Sequence, residues 1–255
     1  MHFERRQKIR ELLQQHGGVS LKELAGIFPE VSTMTLRRDL ESFEATGEAV
    51  RVRGGLRSVA SFGAPRGEDV YAMRLAKNPA AKEKIAALAA SYIETGRSIF
   101  LDSGTTVMQL AAHLPDSNLS IVTSSPLVAL ELSKKFRPTV NLVGGPVNRD
   151  SLSVSGPQSL EFVRDCNFDI AFMVPSAFSP EAGFSCGNYS ECMLKKQIIK
   201  KAGFTVAMVD SSKFERSMPF SFASLSDVGV LLTDKKPSDT VLDAAARAGV
   251  PVRWE

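Results

Sequence analysis

From Arg74 onward the chain repeats one texture: a short apolar run, then a stretch with helical spacing. The strand-like runs are Ser98-Ile-Phe-Leu101, Ser120-Ile-Val-Thr123, Val140-Asn-Leu-Val143, Asp169-Ile-Ala-Phe-Met-Val174, Thr205-Val-Ala-Met-Val209 and Val228-Gly-Val-Leu-Leu-Thr233. Helical patterns fall at 80–95, 106–114, 126–136, 190–202 and 238–248. Strands that are apolar almost throughout are covered on both faces, and strands separated by helices build βαβ units. Residues 74–255 are therefore expected to form an α/β domain, Rossmann-like, with a mostly parallel sheet.

The first 57 residues read differently. Phe3 to Gln15 sets Ile9, Leu12 and Leu13 on one helical face, and Gly17-Gly18 stops it. Ser20-Leu-Lys-Glu23 is a capping box that opens a short helix carrying Leu21, Leu24, Ala25 and Phe28. Pro29 ends or interrupts that helix, and Ser32 caps the next. There Leu36, Leu40 and Phe43 are spaced i, i+4, i+7, so one face is buried. At 100° per residue Met34, Thr35 and Arg38 lie roughly opposite that stripe, with Arg37 on its flank. Two short helices joined by a tight turn are the helix-turn-helix pattern. After Gly47, Val50 and Val52 alternate with Arg51 and Arg53, which predicts a half-buried strand with a basic face before the Gly54-Gly55 turn. Residues 58–73 mix Gly, Pro, Ser and charge without a period and read as a linker.

Bulk composition narrows the function classes. The net charge of +3 is too small to argue for nucleic acid, so that case rests on local clustering. From Ala49 to Arg57 there are three arginines and no acid. The three cysteines, Cys166, Cys186 and Cys192, lack metal-ligand spacing and fit a reduced, cytoplasmic compartment. No metal site and no cofactor is expected. The N-terminus has no apolar core for a secretory signal, and no apolar run is long enough to span a membrane.

A second site is legible at Leu101-Asp-Ser-Gly-Thr-Thr106, between a strand and a helix. Short polar residues and a glycine there let backbone amides converge on an anion, and the helix start adds partial positive charge. Asp102, Ser103, Gly104, Thr105 and Thr106 are the candidates, with Asp102 placed to accept from sugar hydroxyls. Other loops after strands carry Ser124, Ser125, Gly144, Gly145, Gly156, Glu191 and Lys213. Open α/β sheets bind ligands at this end. A helix-capping turn with no ligand is the competing reading of the cradle. The candidates for DNA contact are Ser20, Ser32, Thr33, Met34, Thr35, Arg37 and Arg38 on the helices and Arg51, Arg53 and Arg57 on the hairpin. The competing reading of Arg37-Arg38 is a solvated face or an ion pair with Asp39 or Glu41.

Taken together these motifs resemble the DeoR family of bacterial transcriptional regulators over nearly the whole chain. The resemblance rests on Glu4-Arg-Arg-Gln7, Val19-Ser20, Glu23-Leu-Ala25, Thr35-Leu-Arg-Arg-Asp-Leu40 and Arg53-Gly-Gly55. Further on it rests on Arg74, Lys82, Asp102-Ser-Gly-Thr-Thr106, Gly144-Gly145, Ser155-Gly156, Asp169, Gly183 and Asp210-Ser-Ser-Lys-Phe214. The chain departs from the pattern at Val174-Pro-Ser-Ala-Phe178, where glycines are usual, and at Ser124-Ser125, where an Asn is usual. The resemblance implies a winged helix-turn-helix over 1–57, a linker over 58–73 and an effector domain over 74–255 similar to ribose-5-phosphate isomerase. It implies a repressor of a carbohydrate operon that binds double-stranded DNA as a dimer or tetramer and responds to a phosphorylated sugar. The alternative is a sugar-phosphate isomerase-like enzyme, for which Asp169, Glu191 and Lys213 are the charged groups on offer.

Overall fold

The computed structural model describes residues 2–16, 18–46, 48–52, 54–58 and 71–255. Arg53, Gly47 and most of the 58–73 stretch lie outside the described residues, as do the side chain of Arg57 and those near the chain start. The chain divides into two compact units, Met1–Gly67 and Glu68–Glu255.

The first unit runs α1 (His2–His16), β1 (Gly18–Ser20), α2 (Leu21–Ile27), α3 (Thr33–Ala45), β2 (Ala49–Val52) and β3 (Gly55–Ser58). Its core is Ile9 and Leu13 of α1, Leu24 of α2, and Leu36, Leu40 and Phe43 of α3, with Val19, Ala49 and Leu56 from the strands. The three strands form an antiparallel sheet in the order β1-β3-β2. At Gly55 an added Cβ would lie 2.2 Å from the Val19 carbonyl oxygen, so only glycine lets β3 approach β1 this closely. The half-burial expected for β2 does not hold. Ala49 is buried, but Val50 and Val52 are both exposed. The cause is position: β2 is the edge strand, and Leu56 of β3 fills the core in its place.

The second unit opens with α4 (Tyr71–Ala76) and α5 (Pro79–Ala90). Tyr71 to Met73, read as the end of the linker, are thus helical, because Tyr71 is buried and its amide donates to the Asp150 carbonyl at 2.7 Å. Then come β4 (Ser98–Leu101), α6 (Thr105–His113), β5 (Ser120–Thr123), α7 (Pro126–Leu132), β6 (Thr139–Leu142), β7 (Val147–Asn148), β8 (Ser153–Val154), α8 (Pro157–Arg164) and β9 (Phe168–Met173). The chain continues through β10 (Ala177–Ser179), β11 (Gly183–Cys186), α9 (Tyr189–Lys201), β12 (Ala202–Met208), β13 (Phe220–Ala223), β14 (Val230–Leu232), α10 (Asp239–Ala248) and β15 (Val252–Arg253).

Seven strands form one sheet in the order β15-β14-β12-β9-β4-β5-β6, and every pairing is parallel. Both faces are covered. Ile99, Leu101, Ile170 and Phe172 pack against α5, α6 and α7, while Phe100, Ala171 and Met173 pack against α8 and α9. This is the doubly wound α/β architecture expected from the apolar runs. The small antiparallel sheet β10-β11-β13 is an addition whose Phe178, Phe184 and Phe222 share one core with Ala207 of β12, Leu231 of β14 and Val241 of α10. From β4 the chain winds outward through β5 and β6, then returns to β9 on the other side of β4. The order reverses between β4 and β9, and their carboxyl ends are where such a sheet leaves a crevice. Among the described residues, no helix is long and apolar enough to cross a membrane.

Candidate DNA-reading surface and anion site

In the first unit the caps are built as the sequence implies. Ser20 Oγ accepts from the Glu23 amide at 3.1 Å and Glu23 Oε2 accepts from the Ser20 amide at 2.7 Å. Ser32 Oγ accepts from the Thr35 amide at 3.2 Å and lies 2.9 Å from Thr35 Oγ1. These hydroxyls start helices, and the caps fix where α2 and α3 begin.

Asp39 is almost completely buried, and α1 explains it. Arg5 Nε donates to Oδ2 at 2.6 Å and Arg6 Nε to Oδ1 at 3.0 Å. Burial works to raise the carboxyl's pKa, but the two guanidiniums outweigh it and hold it below the usual carboxylate value. The acid next to the arginine pair is therefore consumed by α1. Glu41 and Glu44 are occupied by Arg51, at 3.6 and 3.1 Å. Arg37 and Arg38 are exposed and have no ion-pair partner among the described residues, and Met34 beside them is 60% exposed. The ion-pair reading of Arg37-Arg38 thus loses both of its named partners. Arg51, expected to reach for phosphate, is tied back onto α3. A groove lined by Met34, Arg37, Glu41, Arg51 and Val52 runs between α3 and the β2–β3 hairpin.

In the second unit the loop after β4 lies at the switch point. Gly104 is the N-cap of α6 with φ +128°, a conformation only glycine adopts without strain, and no side chain caps the helix. Ser103, Thr105 and Thr106 are buried, and Thr106 Oγ1 has no hydrogen-bond partner among the described residues. A buried, unpartnered hydroxyl beside open helix amides is a donor set for an anion.

Asp102 differs from its expected role. Its Oδ1 accepts from the Ser103 amide at 2.8 Å and its Oδ2 from the Val174 amide at 2.9 Å. Oδ2 also accepts from Lys195 Nζ on α9. The carboxylate faces inward, fully engaged, and is not held out toward a sugar. Lys195, which sequence reasoning missed, is completely buried. Its ammonium also donates to the Val174 carbonyl at 3.0 Å and lies 3.4 Å from Glu191 Oε1. Burial opposes its charge, yet Asp102 and Glu191 raise its pKa, so it stays protonated. In the sequence Lys195 hides in the run Lys195-Lys-Gln-Ile-Ile-Lys-Lys201. The available signal is its place on the apolar stripe, three residues from both Cys192 and Ile198.

The other candidates gather at the same end of the sheet. Glu191 is reached by Ser153 Oγ at 3.5 Å, and Ser153 pairs with Ser151 at 2.7 Å. The next residue, Val154, donates its amide to the Ser124 carbonyl at 2.7 Å. Ser159 Oγ donates to the Gly144 carbonyl at 2.6 Å, which draws the Gly144-Gly145 loop onto α8, and Gly156 caps that helix. Ser125 caps α7 through the Val128 amide. Lys213 Nζ donates to the Pro175 carbonyl at 2.9 Å and lies 3.6 Å from Asp210. Lys82 is buried, donates to the Arg74 and Leu75 carbonyls at the end of α4, and has its pKa lowered by burial. Asp169 does not join them. It receives the Ser98 amide at 2.7 Å, at the amino end of β4 and β9. Of the charged groups on offer for an enzyme, Asp169 lies at the far end, Glu191 is engaged by Ser153 and Lys195, and Lys213 by the Pro175 carbonyl and Asp210. Among the described residues no group of His, Cys, Asp and Glu has the makings of a metal site.

A helix-turn-helix with an outward arginine pair, joined in one chain to a sensor-type α/β unit, defines a transcription regulator. Residues 5–62 match the DeoR-like helix-turn-helix domain and residues 77–235 the DeoR C terminal sensor domain. The chain belongs to the DeoR family. It is 32% identical to the HTH-type transcriptional regulator GlpR of Haloferax volcanii, over 98% of this chain and 96% of that one. It is likewise 32% identical to the glycerol-3-phosphate regulon repressor of Escherichia coli, over 94% of this chain and 93% of the relative. Among solved structures, ribose 5-phosphate isomerase A from Methanocaldococcus jannaschii is similar with a TM-score of 0.40 and 16% identity, covering 54% of this chain and 55% of that one. The family's curated members are transcriptional regulators, and this chain is one of them, not an enzyme.

Proposed function

We propose that the protein represses a carbohydrate-metabolism operon and is controlled by a phosphorylated sugar bound at the β4–α6 loop. The observation that carries the effector class is the start of α6: no side-chain cap, a glycine at φ +128°, and a buried Thr106 hydroxyl without a partner among the described residues. These supply donors and no carboxylate, which suits a phosphate. Ser103 to Thr106 hold the phosphate, and Ser124, Gly144, Gly145, Gly156 and Lys213 line the rest of the crevice. Arg37 and Arg38 contact base edges, where a bidentate arginine on guanine contributes about 1–3 kcal/mol of discrimination. Ser32, Thr33, Met34 and Thr35 flank them at the helix start, and Arg53 and Arg57 supply phosphate contacts from the wing. One reading head buries little DNA, so the working form is a dimer or tetramer on repeated half-sites in the cytoplasm.

The test has two arms on the full-length chain. Operator fragments are selected from a random duplex library, and Arg37→Ala/Arg38→Ala is expected to abolish the selective binding while leaving the melting temperature unchanged. Retained selectivity removes α3 as the reading helix. In the second arm a panel of sugar phosphates and their unphosphorylated parents is screened by thermal shift. Stabilisation by phosphorylated members alone is expected, and stabilisation by the parents alone removes the anion site.

A further inference from the structure

Beside the proposed phosphate site lies a buried charge network of Lys195, Asp102 and Glu191. Lys195 has three ammonium protons and three acceptors within reach: Asp102 Oδ2, the Val174 carbonyl and Glu191 Oε1. Asp102 has two oxygens, which receive the Ser103 amide, the Val174 amide and Lys195. Lys195 has no proton left for a guest, and Asp102 keeps acceptor room only on Oδ1 and has no proton to donate. The network joins three elements that meet at the switch point: the loop after β4, the end of β9 and the interior face of α9. Phe222, whose ring centroid lies 5.3 Å from Lys195 Nζ, closes it from the small sheet.

We infer that Lys195 is a positioning residue for the anion site: it pins Asp102 inward so that the ligand meets the hydroxyls of Ser103, Thr105 and Thr106 and the amides of Gly104 to Thr106, and no carboxylate. This rests on the effector reading above. The geometry gives the reason. Were Asp102 free to swing outward, its charge would repel a phosphate at the start of α6, and the Ser103 amide would lose the acceptor that orients it. A buried lysine with a carboxylate on either side keeps one of them, Asp102, turned away from the ligand. Glu191 then passes the constraint to Ser153 and Ser151, and Arg74 Nη2 of α4 reaches the Ser151 carbonyl at 3.4 Å.

The experiment uses inorganic phosphate as the probe and the full-length chain. Removing Lys195 alone strands two buried carboxylates and threatens the fold, so the informative variant is Asp102→Asn/Lys195→Met, which neutralises the closer pair at similar volume and leaves Glu191 to the Ser153 hydroxyl. An asparagine side chain has one acceptor oxygen for the two amides that Asp102 now serves, so the loop loses one anchor. The double variant is expected to melt within a few degrees of the wild type and to bind phosphate at least about tenfold more weakly. A folded double variant that binds phosphate as tightly as the wild type overturns the inference and leaves the effector site standing. A wild type that binds neither phosphate nor any sugar phosphate removes the site itself, and the inference with it. Hydrogen exchange on the wild type decides the matter if the double variant does not fold. The Ser103 and Val174 amides are expected to keep their protection when phosphate is added, while those of Thr105 and Thr106 gain it. Loss of protection at Ser103 and Val174 on phosphate addition means Asp102 leaves its socket, which overturns the inference.

Discussion

A single carboxylate decides how the arginines of α3 are presented. Asp39 follows Arg37 and Arg38 directly and, on sequence alone, is one of their two natural partners. It turns inward instead, because Leu36 and Leu40 bring its side of the helix against α1, where Arg5 and Arg6 take both oxygens. Arg37 and Arg38 are left without an ion-pair partner among the described residues as a consequence of packing. Asp39→Asn keeps the shape and removes the charge, leaving two guanidiniums facing a neutral amide. Because Arg6 is partly exposed and screened, the expected loss is about 2–3 kcal/mol, below the full cost of breaking a buried pair. The pH dependence has a definite sign. The carboxyl's pKa is lowered on folding, so its contribution is complete above its unfolded value of about 4 and fades as pH falls through the folded value. Calorimetry on wild type and Asp39→Asn is expected to show a gap in the first unit's transition at neutral pH that closes in acid. A gap that persists at low pH would mean the loss comes from packing.

At the scale of elements, the β2–β3 hairpin and α3 form one clamped piece. Arg51 of β2 sits against Glu41 and Glu44 of α3, all of them exposed. The strand's basic face was legible in the sequence, but not that α3 supplies acids on the side turned to it. Glu41→Gln/Glu44→Gln releases Arg51 and removes two negative charges from the proposed DNA-facing side. Non-specific affinity is expected to rise, and the slope of log K against log salt to steepen by about 0.9 for one added phosphate contact. An unchanged slope in an anisotropy titration against salt would show that Arg51 has no phosphate within reach even when free. Legibility varied with burial in the same way elsewhere. The parallel strands were readable because both faces are covered, which makes their runs apolar at nearly every position. Helix α8 was not, since it is only eight residues long and buries just Ser159 and Val163 fully. Strands β10, β11 and β13 are three or four residues each and rich in serine, too short for a period to show. At the anion site the loops were readable from glycines and hydroxyls. Lys195 was not, because its place on the apolar stripe marks it as buried but not as paired, and the pairing shows only once its two carboxylates are seen beside it.

For the whole molecule, the two units carry separate cores, and regulation requires a coupling free energy between them. Such coupling is reciprocal: whatever factor an effector applies to operator affinity, the operator applies to effector affinity. Typical values of about 1–3 kcal/mol correspond to roughly 5- to 150-fold. The sign follows the ligand's preference between DNA-competent and incompetent arrangements, since a ligand equally fond of both shifts nothing. For a repressor that the effector releases, the sugar phosphate found in the thermal-shift panel is expected to bind more weakly to the operator-bound protein than to the free protein. Operator affinity is expected to fall by the same factor when the effector saturates. Calorimetric titration of the effector with and without operator, set beside operator titrations with and without effector, measures both. Unequal factors would show that a third equilibrium intervenes, with a change of oligomeric state the first to check by sedimentation at the same concentrations. Equal factors of one, with both ligands bound, would separate binding from regulation and leave the crevice a site without control over DNA.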